Sequence, residues 1–122
     1  MVNLARIKIP IDLKVRERYI AFKVKIEGDV KIDKKTVAKA IWKAALDVLG
    51  EVWAGSLDLW IMEYNEGTGV GILKCNSKSV EEVKAVMAFV DSVSERRAVI
   101  YPLYVSGTLK KLKRLLKNKE TQ

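Results

Sequence analysis

The sequence has no histidine. The commonest general base and the commonest neutral metal ligand are therefore both missing. It has one cysteine, Cys75, so an internal disulfide is excluded and a reducing compartment is expected. With no histidine to activate it and apolar neighbours, Cys75 reads as a packed, inert thiol. The only glutamine is Gln122, whereas Lys, Glu, Val and Ile abound, a composition that leans toward thermophiles. No apolar run reaches the roughly 18 residues a bilayer span needs. The first residues show neither a signal-type apolar core nor a small-residue cleavage site, so a cytoplasmic, membrane-free protein is expected. Carboxylates are scattered, with no metal-ligand spacing, and no bound cofactor or catalytic residue is expected in the chain. Gly67, Gly69 and Gly71 form no G-x-G-x-x-G or G-K-[ST] pattern and precede an apolar alternating run, so a hairpin explains them better than a phosphate loop.

What the sequence does have is charge at its two ends. The net charge is +8 over 122 residues. Residues 1–26 hold seven basic and two acidic side chains, and residues 96–119 hold eight basic and no acidic ones. The stretch between them is net acidic. Clustering of this kind is the electrostatic footprint of a polyanion site. The sharpest instance is the C-terminal segment. Leu109, Leu112, Leu115 and Leu116 fall on one side of a 3.6-residue period, a stripe that can dock on a core. Lys110, Lys111, Lys113, Arg114, Lys117 and Lys119 fill the rest, and no acid precedes Glu120. Like charges this close repel one another until an anion neutralises them.

The rest of the chain reads as one domain over 16–122, preceded by an N-terminal arm over 1–15. In the arm, Ile7, Ile9, Ile11, Leu13 and Val15 alternate strictly, and Pro10 excludes it from a central strand. A strand over 18–27 sets Ile20, Phe22, Val24 and Ile26 on one face, with Tyr19, Ala21, Lys23 and Lys25 on the other. Asp33 suits the N-cap of a helix that Gly50 stops, with Val37, Ile41, Ala44, Ala45 and Val48 buried. Lys35, Lys39 and Lys43 form its outer row. Leu57 to Tyr64 reads as a strand with Leu57, Leu59 and Ile61 on one face and Trp60, Met62 and Tyr64 on the other. A turn over Asn65–Gly69, with Gly67 and Gly69 offering positive φ, leads to a partner strand over 70–76. Ser79 and Glu82 have the capping-box spacing for a helix to Val93. A last strand over 97–106 precedes the basic helix over 108–118.

The order β-α-β-β-α-β plus a C-terminal helix predicts an α+β, ferredoxin-like fold of the RNA-recognition-module kind: a four-stranded antiparallel sheet with two helices on one face. Base stacking on the sheet is not expected to dominate. The third strand, Gly69-Val-Gly-Ile-Leu-Lys-Cys75, lacks the aromatics such surfaces use, and Tyr19 alone is well placed on the first. RNA contact should fall to lysines and arginines that reach phosphates. A free Trp60, Met62, Tyr64 face calls for a protein partner or for cover by the leucine stripe.

Three stretches together resemble the protein component 2 family of archaeal and eukaryotic ribonuclease P, shared with ribonuclease MRP. They are Arg16-Glu-Arg-Tyr-Ile20, the Asn65-x-x-Thr-Gly69 hairpin leading to Ile72-Leu-Lys-Cys75, and Val105-Ser-Gly-Thr-Leu109 ahead of a basic helix. The resemblance covers 16–116. It implies a ribonucleoprotein that removes the 5′ leader of precursor tRNA, in which the RNA subunit does the chemistry with Mg²⁺. It implies three kinds of partner: the ribonuclease P RNA, the component 3 protein and the other protein subunits. By position it points to Arg16, Arg18 and Lys74 as RNA contacts. It also points to Gly67, Thr68, Gly69, Ser106, Gly107 and Thr108 as structural turns. Lys23, Lys25, Lys110, Lys111, Lys113, Arg114 and Lys117 join the expected RNA contacts on electrostatic grounds. Two other readings stay open: a small-molecule regulatory module that dimerises through its sheet, and a general structured-RNA binder of ribosomal type.

Overall fold

The computed structural model describes residues 16–28 and 30–120. The arm over 1–15 lies outside the described residues. The strands are β1 (Glu17–Ile26), β2 (Trp60–Asn65), β3 (Val70–Asn76), β4 (Ser92–Val93) and β5 (Arg96–Ser106). The helices are α1 (Lys34–Ser56), α2 (Val80–Phe89) and α3 (Leu109–Glu120). The sheet runs β2-β3-β1-β5-β4 with every pairing antiparallel. It is therefore five-stranded: β4 adds a short edge that the expected four-stranded sheet lacks.

Alternation along β1 makes the two layers. Ile20, Phe22 and Val24 face the main core, where Val37 and Ile41 of α1 and Val83, Val86 and Met87 of α2 join them. Ala21, one residue out of phase, faces the opposite layer under α3. Asp33 caps α1 as its position suggests, its Oδ1 accepting from the Thr36 N–H at 2.9 Å. That bond holds the Asp33 carboxyl below its ordinary pKa.

Several sequence expectations shift for local reasons. Gly50 does break α1, with φ 78° and ψ 168°, but helical turns resume up to Ser56. Val48 is exposed and outside the core. The Ser79–Glu82 capping box is absent. A 3₁₀ turn over Ser77–Ser79 leads straight into α2, with Asn76 Oδ1 accepting from Lys78 N–H at 3.0 Å. Ser79 makes no side-chain cap bond, and Glu82 Oε2 is buried with no hydrogen-bond partner. α2 ends at Phe89, not Val93. Val90 and Val93 are buried all the same, through an extended turn and β4. The β4–β5 hairpin turns on Ser94 (φ 51°) and Glu95 (φ 65°), two left-handed residues where Asn-Gly is the usual choice.

Two bulges reset which side chains share a face. The β2–β3 register shifts between Ile61 and Glu63, so Glu63 pairs with Ile72 on the α3 side and Tyr64 pairs with Gly71 on the core side. Tyr64 then stacks on Phe22, ring centroids 6.3 Å apart. Burial, and then the charge of Glu66, push its phenol up. The β1–β5 register shifts between Ala21 and Phe22, whose partners are Tyr104 and Pro102. Pro102 has no N–H to give a ladder, and a bulge is one of the few places in a sheet that tolerates it.

Candidate nucleic-acid interface

α3 is seated on the sheet by its leucines. Leu112 is fully buried against Ala21 and Ile72, with Leu109, Leu116, Tyr19, Leu103 and Tyr104 packed around it. Of the two expected occupants of the sheet's second face, the leucine stripe covers the part around Ala21 and Ile72 and leaves Trp60 and Met62 exposed. Thr108 starts it: its Oγ1 accepts from Lys111 N–H at 3.3 Å, and its own N–H donates to Ser106 Oγ at 3.2 Å.

Docking the leucines turns the cations outward. Lys110, Lys111, Lys113, Arg114 and Lys117 are all exposed. Lys113 pairs with Glu63 of β2 at 2.8 Å. Among the described residues, no carboxylate lies within ion-pair reach of Lys110, Lys111 or Arg114. The first turn of α3 also has no acid. The positive end of the helix dipole therefore meets Lys110 and Lys111, the unfavourable sense. Among the described residues no acid rewards this placement; an external anion would.

The start of β1 arrives at the same place. Tyr19 pairs with Ser106 across β1 and β5. Arg18's guanidinium lies 3.7 Å from where a Gly107 Cβ would stand, beside the Gly107-Thr108 turn. Arg16 is exposed there, its carbonyl accepting from Ser77 N–H at 2.7 Å. Lys74 pairs with Tyr19 across the sheet and bonds Glu17 at 3.2 Å. Arg16, Arg18, Lys74 and the N-terminal turn of α3 thus share one end of the sheet.

Lys23 and Lys25 extend the basic area toward the other end. Lys23 Nζ donates to the Thr68 carbonyl, which ties it to the β2–β3 hairpin. That hairpin is built by Asn65, whose Oδ1 accepts from the N–H groups of Gly67 (2.8 Å) and Thr68 (3.2 Å). Of its two glycines only Gly69 takes positive φ, at 75°. A Cβ there would stand 2.5 Å from the Val24 carbonyl.

The expected Trp60, Met62, Tyr64 face does not hold together. Trp60 is 63% exposed and Met62 39%, but the bulge turns Tyr64 into the core. Trp60 instead lines an apolar groove with Trp42, Leu59 and Ala38. Tyr19 also differs from expectation, being packed under α3. The aromatic that remains on the uncovered half is Tyr101 of β5, with Lys25 Nζ 5.9 Å from its ring centroid. Its pairing opposite Lys23 is set by the bulge at Ala21/Phe22, which simple alternation along the strand does not show.

Cys75 is buried, and burial, then Glu82, push its thiol up to about 11. Among the described residues, no three His, Cys, Asp or Glu side chains gather into a metal-binding group. No helix there is long and apolar enough to cross a membrane.

Known proteins align with this arrangement. The model of the Rpp14/Pop5 family matches residues 18–117. "Ribonuclease P protein component 2" of Pyrococcus horikoshii is 36% identical over 106 residues, 87% of each chain. The protein of that name from Methanocaldococcus jannaschii is 32% identical over 105 residues, 86% of this chain and 75% of its own length. In three dimensions, a chain of yeast ribonuclease MRP superposes with a TM-score of 0.65 at 13% identity, over 87% of this chain and 92% of that one, which is a likeness of fold. The chain belongs to the Rpp14/Pop5 family.

Proposed function

We propose that this chain is a protein subunit of ribonuclease P, binding and stabilising the catalytic RNA that removes the 5′ leader from precursor tRNA. The observation that carries the reading is α3: a helix docked by leucines so that Lys110, Lys111 and Arg114, which have no acid partner among the described residues, face out beside Arg16, Arg18 and Lys74. The family's relatives support it. In this reading the holoenzyme is an endoribonuclease, the chain supplies no catalytic group, and the Mg²⁺ belongs to the RNA. Neutralising phosphates lets the RNA hold its active shape with fewer ions. Ribonuclease P RNA, component 3 and other protein subunits are the partners, in the cytoplasm. The exposed Trp60 and Met62 are the side chains we assign to protein contact.

The test is reconstituted precursor-tRNA cleavage at low Mg²⁺, with component 3 present. Addition of the chain should raise the rate. An unchanged rate, or cleavage by the polypeptide with no RNA subunit in the tube, would overturn the reading. Equal affinity for an unrelated folded RNA would favour a general RNA binder instead.

A further inference from the structure

Among the described residues, the second face of the sheet is only half covered. α3 sits over Ala21, Ile72, Leu103 and Tyr104. Beyond them, the same face continues through Lys23 and Lys25 of β1 and Tyr101, Val99 and Arg97 of β5. Lys23 pairs directly with Tyr101, and Lys25 with Val99. Ala98 and Ile100, the intervening residues, are buried in the main core, which turns Arg97, Val99 and Tyr101 outward. Lys25 and Arg97 are exposed, Val99 is 54% exposed, and Lys25 lies over the Tyr101 ring. The nearest acids in sequence, Glu27 and Glu95, lie past the end of β1 and ahead of the start of β5, and the Glu27 backbone N–H bonds the Arg97 carbonyl at 2.8 Å.

From this juxtaposition we infer that Tyr101, flanked by Lys23, Lys25 and Arg97, is a stacking platform for unpaired RNA nucleotides. It is a second contact, separate from the helix α3. The inference rests on the RNA-binding function proposed above and names the kind of RNA that this half of the sheet takes. Charge and composition choose the occupant. Interfaces between proteins deplete lysine at their centre, whereas here lysines and an arginine surround the one aromatic ring. Single-stranded nucleic acid needs this pair of features: cations for the backbone and a ring for the base. A duplex offers phosphates, 2′-hydroxyls and its shape but no free base face for the ring, because its bases are stacked on one another. Lys25 is a cation–π partner while the ring is free and turns to a phosphate when a base takes its place.

The full chain is titrated with two fluorescent probes, a single-stranded RNA of about 12 nucleotides and a duplex RNA of the same length, and with ribonuclease P RNA. Tyr101→Leu should weaken single-strand binding about tenfold or more and leave duplex binding within about twofold. Tyr101→Phe should bind like the parent, since the ring is kept, and its melting temperature guards against a folding defect. A 4-thiouridine single strand irradiated with the unaltered chain should cross-link to β5 at Tyr101. The platform is overturned if Tyr101→Leu binds the single strand as the parent does, if it loses both probes equally, or if cross-links fall only on α3. If the parent binds ribonuclease P RNA while these variants change nothing, the platform alone fails. If the parent binds no RNA, the proposed function fails with it.

Discussion

At the scale of single residues, charge pairing separates side chains that look equivalent in sequence. Lys113 shares its charge with Glu63, whereas Lys110, Lys111 and Arg114 do not. Lys113→Ala should therefore weaken RNA binding less than Lys110→Ala or Arg114→Ala, and Glu63→Gln should strengthen it by releasing Lys113. Equal losses across the helix, measured by filter binding at one salt concentration, would contradict this ranking. Gly71 packs so close to the Phe22 ring that a Cβ would also stand 2.9 Å from Phe22 Cε1 and 3.0 Å from the Glu63 carbonyl. Phe22 is fully buried, so neither neighbour can yield cheaply. Gly71→Ala should cost on the order of 2–3 kcal/mol, read as a shift in urea midpoint with unchanged slope. Cys75 should be inert toward Ellman's reagent in the folded chain near neutral pH and react at once in denaturant. Its thiol is raised to about 11, so the group favours the folded state below the ordinary thiol range. That contribution is lost as pH rises from about 9 through about 11. Ready labelling of the native chain at pH 8 would show the site to be open.

At the scale of elements, periodicity was legible wherever one face of a regular helix or strand meets one layer. β1 and the first four turns of α1 follow their alternation and their 3.6-residue period, and the leucines of α3 announce a docked helix. Legibility fails where the period breaks. Strict alternation puts Tyr64 beside Trp60 and Met62, but the bulge after Ile61 reverses it. The bulge opposite Ala21 brings Tyr104 and Tyr101, three residues apart, onto one face. Pro102 was the only cue. The end of α2 is not legible, because Val90 and Val93 keep a helical spacing while lying in an extended turn and β4. Their burial satisfies either geometry, and only strand pairing decides. Two predictions belong here. Leu112→Ala should loosen α3 from the sheet at a cost of about 2–4 kcal/mol, seen as added exposure of Tyr19 and Tyr104. Replacing Ser94-Glu95 by Asn-Gly supplies residues that take left-handed φ freely and should raise the melting temperature by roughly 4–8 °C. A lower melting temperature would mean the turn is not two-residue.

At the scale of the whole molecule, two distant charge clusters become one surface. β1 and β5 are central neighbours, so the start of β1 and the start of α3 meet, and α3 then carries cations across the open face. The clustering was legible in the sequence, and so was the meeting, because the ferredoxin-like order expected from the pattern sets first and last strands side by side; which side chains meet there was not. Among the described residues Glu17 pairs with Lys74 and Glu63 with Lys113, and no acid pairs with Lys110, Lys111 or Arg114. The surface keeps its charge as a result, and phosphate is the counterion it lacks. The most direct test is the salt dependence of binding to ribonuclease P RNA. With about five phosphates neutralised, log affinity against log salt should fall with a slope near −4, at about 0.7–0.9 per contact. Replacing Lys110, Lys111, Lys113 and Arg114 together by Ala should make that slope markedly shallower while the fold is kept. A slope left unchanged by the four replacements would remove α3 from the interface and contradict the account.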